Sequence, residues 1–111
     1  MIAADIQRIL DAKVLIGEEH LSAEAGSVYS SDMMSDVLAF ADNHSVLITG
    51  LCNPQVVRTA YMLDMACIIF VRGKVPDEQM CALAEQKGMV MLLTDKSMFQ
   101  TCGLLYEAGL R

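Results

Sequence analysis

Short apolar runs alternate with amphipathic segments along most of this chain. Three runs, at residues 45–50, 67–71 and 90–94, are almost entirely apolar and include β-branched residues. Runs of this length and composition are typical of strands that are buried on both faces of a sheet. We therefore predict a buried strand at each of these positions.

Segments with helical spacing separate the predicted strands. Asn53-Pro54 has the form of a helix start, with a capping residue before a proline at the first helical position, and the pattern runs on towards Met65. Pro76 is predicted to open the next helix, which continues to Gly88. Further helices are predicted at residues 31–43, where Ser30, Ser31 or Asp32 could serve as the N-cap, and at residues 98–108.

Three successive strand–helix units predict parallel strands joined by right-handed crossovers. The fold class is therefore α/β, a layered sandwich whose mainly parallel central sheet is built from βα units. The first thirty residues differ from this repeat. They predict a short helix near residues 2–10, a strand at residues 14–16, and a second strand or extended edge at residues 27–30.

Composition narrows the class of protein. The chain has 111 residues, 54% of them hydrophobic, which predicts one globular domain over residues 1–111. Its formal net charge of −6 disfavours nucleic acid or an anionic membrane as a partner. The longest apolar run, residues 65–71, is too short to cross a bilayer, and the first residues do not have the pattern of a signal peptide. We expect a cytoplasmic protein.

The four cysteines do not have the paired spacing of a zinc site, so we predict no metal and no cofactor. Each lies in or beside an apolar segment and is expected to be a core thiol in a reducing compartment: Cys52, Cys67, Cys81 and Cys102. His20 and His44 lie in polar turns and are expected to face solvent. Seven of the methionines are expected in the core: Met33, Met34, Met62, Met65, Met80, Met91 and Met98.

No complete catalytic motif is present. The only Gly-Lys pair, Gly73-Lys74, is followed by valine and has no preceding glycine at the spacing of a P-loop. There is no dinucleotide-binding glycine pattern, and neither histidine lies at the C-terminal end of a predicted buried strand, where an open α/β sheet builds its sites. We predict no catalytic residues; a small enzyme using Asp32 or Asp95 as a base is a weaker alternative that lacks a partner residue.

Candidate binding residues follow the predicted strands. Ligands of open parallel sheets bind outside the carboxyl ends of the strands, where helix N-termini offer free N–H groups. We predict a site for a nucleotide or another small anion, built from Ser31, Asp32, Thr49, Gly50, Asn53, Arg72, Gly73, Lys74 and Thr94. The alternative is that Gly50 and Gly73 are ordinary strand exits and Asn53 an ordinary cap.

The segments YSSDMMSDV at residues 29–37, ITG at 48–50, RGKVPDE at 72–78 and LYEAGL at 105–110 resemble the DRTGG domain. The resemblance covers nearly the whole chain, in order. It implies the α/β sandwich fold of the N-terminal domain of HPr kinase/phosphorylase. DRTGG domains occur in some phosphate acetyltransferases, beside CBS domains, and as free-standing proteins in anaerobes with iron-only hydrogenases.

The chain departs from the family at the motif that names it. That motif would fall within residues 22–28, which here read SAEAGSV. Any function that rests on the motif is therefore altered in this protein.

These observations together predict a non-enzymatic regulatory or ligand-sensing domain that forms a homodimer. The alternative is a protein–protein adaptor that docks on a metabolic enzyme or an iron-only hydrogenase system through an apolar face. An exposed patch containing methionines, beyond what a dimer covers, would favour the adaptor.

Overall fold

The structure, a computed structural model, describes residues 1–111. Five helices and five strands follow one another along the chain, with one turn of 3₁₀ helix at Glu18–His20. The helices are α1 (Ala3–Leu10), α2 (Met34–Phe40), α3 (Pro54–Met62), α4 (Glu78–Gln86) and α5 (Met98–Glu107). The strands are β1 (Lys13–Ile16), β2 (Ser27–Ser30), β3 (Ser45–Thr49), β4 (Cys67–Phe70) and β5 (Met91–Leu93).

All five strands form one sheet in the order β1-β5-β4-β3-β2. The pairs β2–β3, β3–β4 and β4–β5 are parallel, and β1 is antiparallel to β5. The predicted α/β sandwich with a mainly parallel sheet is confirmed. The antiparallel strand comes from the N-terminal segment that lacked the repeating βα pattern.

Helices cover both faces of the sheet. On one face, Ile6 and Leu10 of α1 and Leu105 of α5 pack on the sheet. On the other face, the apolar sides of α2, α3 and α4 pack on strand residues such as Leu47 and Phe70. Alternate residues of each central strand therefore feed two separate cores, which explains why these strands are apolar without interruption.

The observed starts of the helices agree only in part with the starts predicted from the sequence. Asn53 is confirmed as the cap of α3, because its Oδ1 accepts a hydrogen bond from the Gln55 N–H at 2.9 Å. Helix α4 begins at Glu78 rather than Pro76, because the Asp77 carboxylate caps the Met80 N–H at 2.9 Å. Helix α2 begins only at Met34, and its N-cap residue makes no side-chain cap.

Two of the methionines expected in the core are exposed. Met33 precedes α2 and is 59% exposed, and Met62, the last residue of α3, is 70% exposed. Met33 is the N-cap residue of α2 and Met62 the last residue of α3, and neither is among the buried residues of its helix. Among the cysteines only Cys67 is fully buried, while the other three are half-buried. The expectation of core thiols therefore holds for Cys67 alone.

Gly17, which follows β1, is the tightest point of the backbone. Its φ of 87° is left-handed, and a Cβ added there would lie 2.9 Å from the Val90 Cα and closer still to the Met89 carbonyl oxygen. We expect Gly17→Ala to lower the free energy of unfolding by about 2–4 kcal/mol, measured by urea denaturation. Gly26→Ala is the matched control, since nothing lies within 4 Å of its Cβ position. Equal stability of the two variants would contradict this account.

Candidate functional site

The carboxyl ends of the four parallel strands lie along one edge of the sheet, called here the carboxyl edge. The strand ends and the loops that leave them carry every binding residue predicted from the sequence: Ser31, Asp32, Thr49, Gly50, Asn53, Arg72, Gly73, Lys74 and Thr94. Residues from four separate loops thus share one edge. Some of these residues form hydrogen bonds that hold the loops together, and the side chains of others remain free.

Asp32 ties the loop after β2 to the end of β3. Its Oδ1 accepts hydrogen bonds from the Thr49 hydroxyl at 2.9 Å and from the Gly50 N–H at 2.7 Å. The Thr49 Oγ1 in turn accepts from the Leu51 N–H at 3.1 Å. The Gly50 N–H is therefore already bonded to a carboxylate of the chain and is not free to donate to a bound anion.

Arg72 lies directly over Gly50. A Cβ on Gly50 would be 3.1 Å from the Arg72 Cζ, so the guanidinium can occupy this position only because Gly50 has no side chain. Arg72 itself has a left-handed φ of 56° and is held there by its N–H, which donates to the Lys96 carbonyl at 2.8 Å. The guanidinium is exposed and forms no ion pair with a carboxylate.

The rest of this loop is also fixed by its backbone. The Gly73 N–H donates to the Thr94 carbonyl at 3.0 Å, and the Lys74 N–H donates to the Val71 carbonyl at 3.1 Å. The buried Thr94 Oγ1 accepts from the Lys96 N–H at 3.2 Å. Because these amides are engaged, the groups left to meet a ligand are the exposed side chains of Arg72 and Lys74.

The side chains of Asn53 and Ser31 both accept hydrogen bonds from backbone N–H groups. The side-chain oxygen Oδ1 of Asn53 caps α3, and the Ser31 hydroxyl accepts a hydrogen bond from the Met33 N–H at 2.9 Å. Both side chains nevertheless lie on loops that border Arg72 and Asp32. The structural role suggested for Asn53 by its sequence context is therefore present.

Burial raises the pKa of three of the thiols. The pKa of Cys67 rises to about 12 because this thiol is enclosed in the core. Burial also raises the pKa of Cys52, at the carboxyl edge, and of Cys81, on α4; the Lys74 ammonium opposes this rise at Cys52, and nearby carboxylates add to it at both thiols. These three thiols are neutral at pH 7.

No group of three or more His, Cys, Asp or Glu side chains could hold a metal ion. None of the helices has the length and apolar character needed to span a lipid bilayer.

The largest cavity lies at the opposite edge, where the strands begin, and is called here the amino-edge groove. It has a volume of about 770 Å³, and both histidines of the chain line it. Sequence reasoning treated His20 and His44 separately, as exposed turn residues, and missed that they share a cavity. The available signal was that each precedes a parallel strand, which places both at the same edge of the sheet.

The profile of the DRTGG domain family matches residues 5–108, and the chain belongs to this family. The predicted resemblance is confirmed. A similar solved structure is that of the CBS and DRTGG domains of the regulatory region of a Clostridium perfringens pyrophosphatase, complexed with its activator, diadenosine tetraphosphate. The TM-score is 0.76 and the identity 20%, over 92% of this chain and 44% of that one. Comparison with curated proteins gave no match.

Residues 22–28, where the sequence predicts the counterpart of the family's naming motif, lead into β2 at the amino edge. Ala23, Glu24, Ala25 and Gly26 form part of the wall of the amino-edge groove. This segment therefore belongs to the amino edge and not to the loops of the carboxyl edge.

The bonds of Asp32 predict the effect of removing its carboxylate. We expect Asp32→Ala to lower the free energy of unfolding by about 1–3 kcal/mol, because the buried Thr49 hydroxyl and the Gly50 N–H both lose their partner. Asp95→Ala, which removes an exposed carboxylate that makes no hydrogen bond, is the control and should change stability by less than about 0.5 kcal/mol. Similar urea midpoints for the two variants would contradict the stabilising role of the Asp32 bonds between the loop after β2 and the end of β3.

Proposed function

We propose that this protein is a non-enzymatic regulatory domain that senses a small anionic ligand, with a nucleotide as the first candidate. The observation that carries the proposal is the pair of exposed cationic side chains on the loop after β4. Arg72 and Lys74 have no acidic partner, and the loop between them is held by three backbone hydrogen bonds. In a chain of net charge −6, such a preorganised pair attracts phosphate oxygens locally.

The position of Arg72 supports this ligand class further. Its guanidinium rests on Gly50 instead of extending freely into solvent, so less conformational entropy is lost when a ligand binds. Asp32 fixes the Gly50 loop beneath it. The ligand would then meet Arg72 and Lys74 at the rim, with Thr49, Gly50, Gly73 and Thr94 forming the floor and Ser31, Asp32 and Asn53 the flanking loops.

The comparison favours a regulatory role and a nucleotide. The similar structure is a regulatory region, and its activator is a dinucleoside polyphosphate. This chain spans 44% of that structure, so any activity of the larger protein is carried over here only as the hypothesis that the DRTGG domain is a regulatory module. The free thiols of all four cysteines agree with a cytoplasmic location.

Thermal-shift measurements with diadenosine tetraphosphate, ATP and acetyl phosphate test this site. We expect at least one of them to stabilise the protein, and the double variant Arg72→Ala/Lys74→Ala to bind it at least about tenfold more weakly, equivalent to about 1.4 kcal/mol. The control is Arg58→Ala/Lys87→Ala, which removes the same charge from exposed positions on α3 and at the amino edge. The proposal fails if none of the three ligands stabilises the protein, or if both double variants bind equally well.

We further propose that the chain forms a homodimer through the outer face of α5. Phe99 and Tyr106 are 87% and 61% exposed there, with Gly103 between them on the same side of the helix. A glycine inside a helix costs about 1 kcal/mol relative to alanine. No atom lies within 4 Å of the position of a Gly103 Cβ, so packing within the chain does not require it. Close approach of a second α5 helix would require a glycine at this position.

Charge also favours contact between two copies of this face. The face carries one acid, Glu107, and one base, Arg111, so it is formally neutral although the whole chain carries −6. Two copies of this face can therefore meet without repulsion between like net charges.

Gly103→Gln separates dimerisation from folding. The larger side chain would keep two α5 helices apart, while its better helix propensity should leave the monomer at least as stable. We expect the wild type to have the mass of a dimer in light scattering at micromolar concentration and Gly103→Gln that of a monomer. Ala82→Gln, at an exposed position of α4, should remain dimeric. A monomeric wild type would contradict the proposal.

The adaptor hypothesis is favoured by a different surface. Exposed apolar side chains occur on the α2 and α3 side of the sheet, where an α5 dimer would not cover them: Met33, Leu38, Phe40 and Met62. Such a surface suits a protein partner, such as a metabolic enzyme or a component of an iron-only hydrogenase system. Pull-down from the native host distinguishes the two hypotheses, because a sensor alone would recover only its own chain.

A further inference from the structure

The amino-edge groove is a second candidate site, on the opposite side of the domain from Arg72 and Lys74. Its volume of about 770 Å³ is within the range of small-molecule sites, about 300–1,000 Å³. Small residues line much of it and leave the space open: Ala23, Ala25, Gly26, Ala60, Ala66 and Gly88. No atom lies within 4 Å of a Cβ placed on Gly26, so this wall faces open space.

The polar groups of the groove favour a cation. Helices α3 and α4 both end at this edge, and their carbonyl ends carry a partial negative charge. Glu24 and Asp64 add carboxylates to the lining, which also holds two cationic groups, the Lys87 side chain and the amino group of Met1, beside the imidazoles of His20 and His44. Neutral imidazole nitrogens accept hydrogen bonds from an ammonium group.

An ammonium group of the chain lies at the border of this groove, where Tyr61 and Lys87 also line a smaller groove between α3 and α4. The Lys87 Nζ lies 4.5 Å from the centre of the Tyr61 ring, and both side chains line the cavity. An aromatic face at this distance attracts a cation, and Asp64 also belongs to the lining. The Lys87 side chain therefore occupies a place that the ammonium of a ligand could take instead.

We propose that the amino-edge groove binds a small organic amine, whose ammonium group replaces that of Lys87 on Tyr61 and whose donors meet His20, His44 and the carboxylates. The carboxylates, the helix ends and the aromatic ring all favour a positively charged ligand. The groove lacks a group of side chains that could hold a metal ion, so an organic cation fits it better than a bare one. This site is independent of the anion site at the carboxyl edge.

The two histidines supply a local readout, because they are the only ones in the chain and both line the groove. Titration with 1,4-diaminobutane at pH 8 should shift the imidazole C–H proton signals of both histidines saturably. Sodium chloride at matched ionic strength should not. Unchanged imidazole signals, or equal shifts with sodium chloride, would overturn the proposal.

Two variants test the mechanism. Lys87→Gln removes the competing ammonium and should raise the affinity for 1,4-diaminobutane at least threefold, whereas Lys13→Gln removes one charge near the carboxyl edge and should leave the affinity unchanged. Gly26→Leu should abolish the shifts by filling the groove, with circular dichroism confirming the fold. An unchanged affinity in Lys87→Gln, or in folded Gly26→Leu, would refute the assignment. Neither result bears on binding at Arg72.

Discussion

Parallel pairing of β3 with β4 at the centre of the sheet is the constraint on which the rest of the structure depends. Every residue of both strands is buried, so each strand needs backbone partners on both sides and apolar cover on both faces. The neighbours β2 and β5 satisfy the backbone, while α1 and α5 cover one face and α2, α3 and α4 the other. Because parallel strands point the same way, all the connecting loops collect at two opposite edges.

The two edges acquire different chemistry from this single arrangement. At the carboxyl edge the strand exits are short and closely bonded, with Asp32 holding Gly50, so that Arg72 and Lys74 stand free on a rigid base. At the amino edge the helices end, small residues leave a groove, and the carbonyl ends of α3 and α4 favour positive charge. Helix α5 runs from the carboxyl edge to the amino edge. The hydrogen bond from the Arg72 N–H to the Lys96 carbonyl connects the segment before α5 to the loop that carries Arg72 and Lys74.

Most of the architecture could be read from the sequence because buried parallel strands leave an unmistakable apolar pattern. The strands at residues 45–50, 67–71 and 90–94 were predicted for that reason, and the Asn53 cap was predicted from the proline that follows it. Helix starts were less certain, because several polar residues near each start could serve as the cap, and the choice of Asp77 over Pro76 depends on the local path of the loop. Met33 and Met62 were placed wrongly, since helical spacing does not show which residues lie beyond the sheet.

The sequence by itself determined the fold class, the family and the edge at which the candidate anion site lies, because strand direction follows from the order of βα units. Only the tertiary structure decided how the site residues divide between structure and binding. The position of the Arg72 guanidinium on Gly50 joins residues from two different crossovers. The cavity that His20 and His44 share and the exposure of the α5 face likewise depend on how the helices pack. Local pattern cannot report these contacts, since they join residues far apart in the chain.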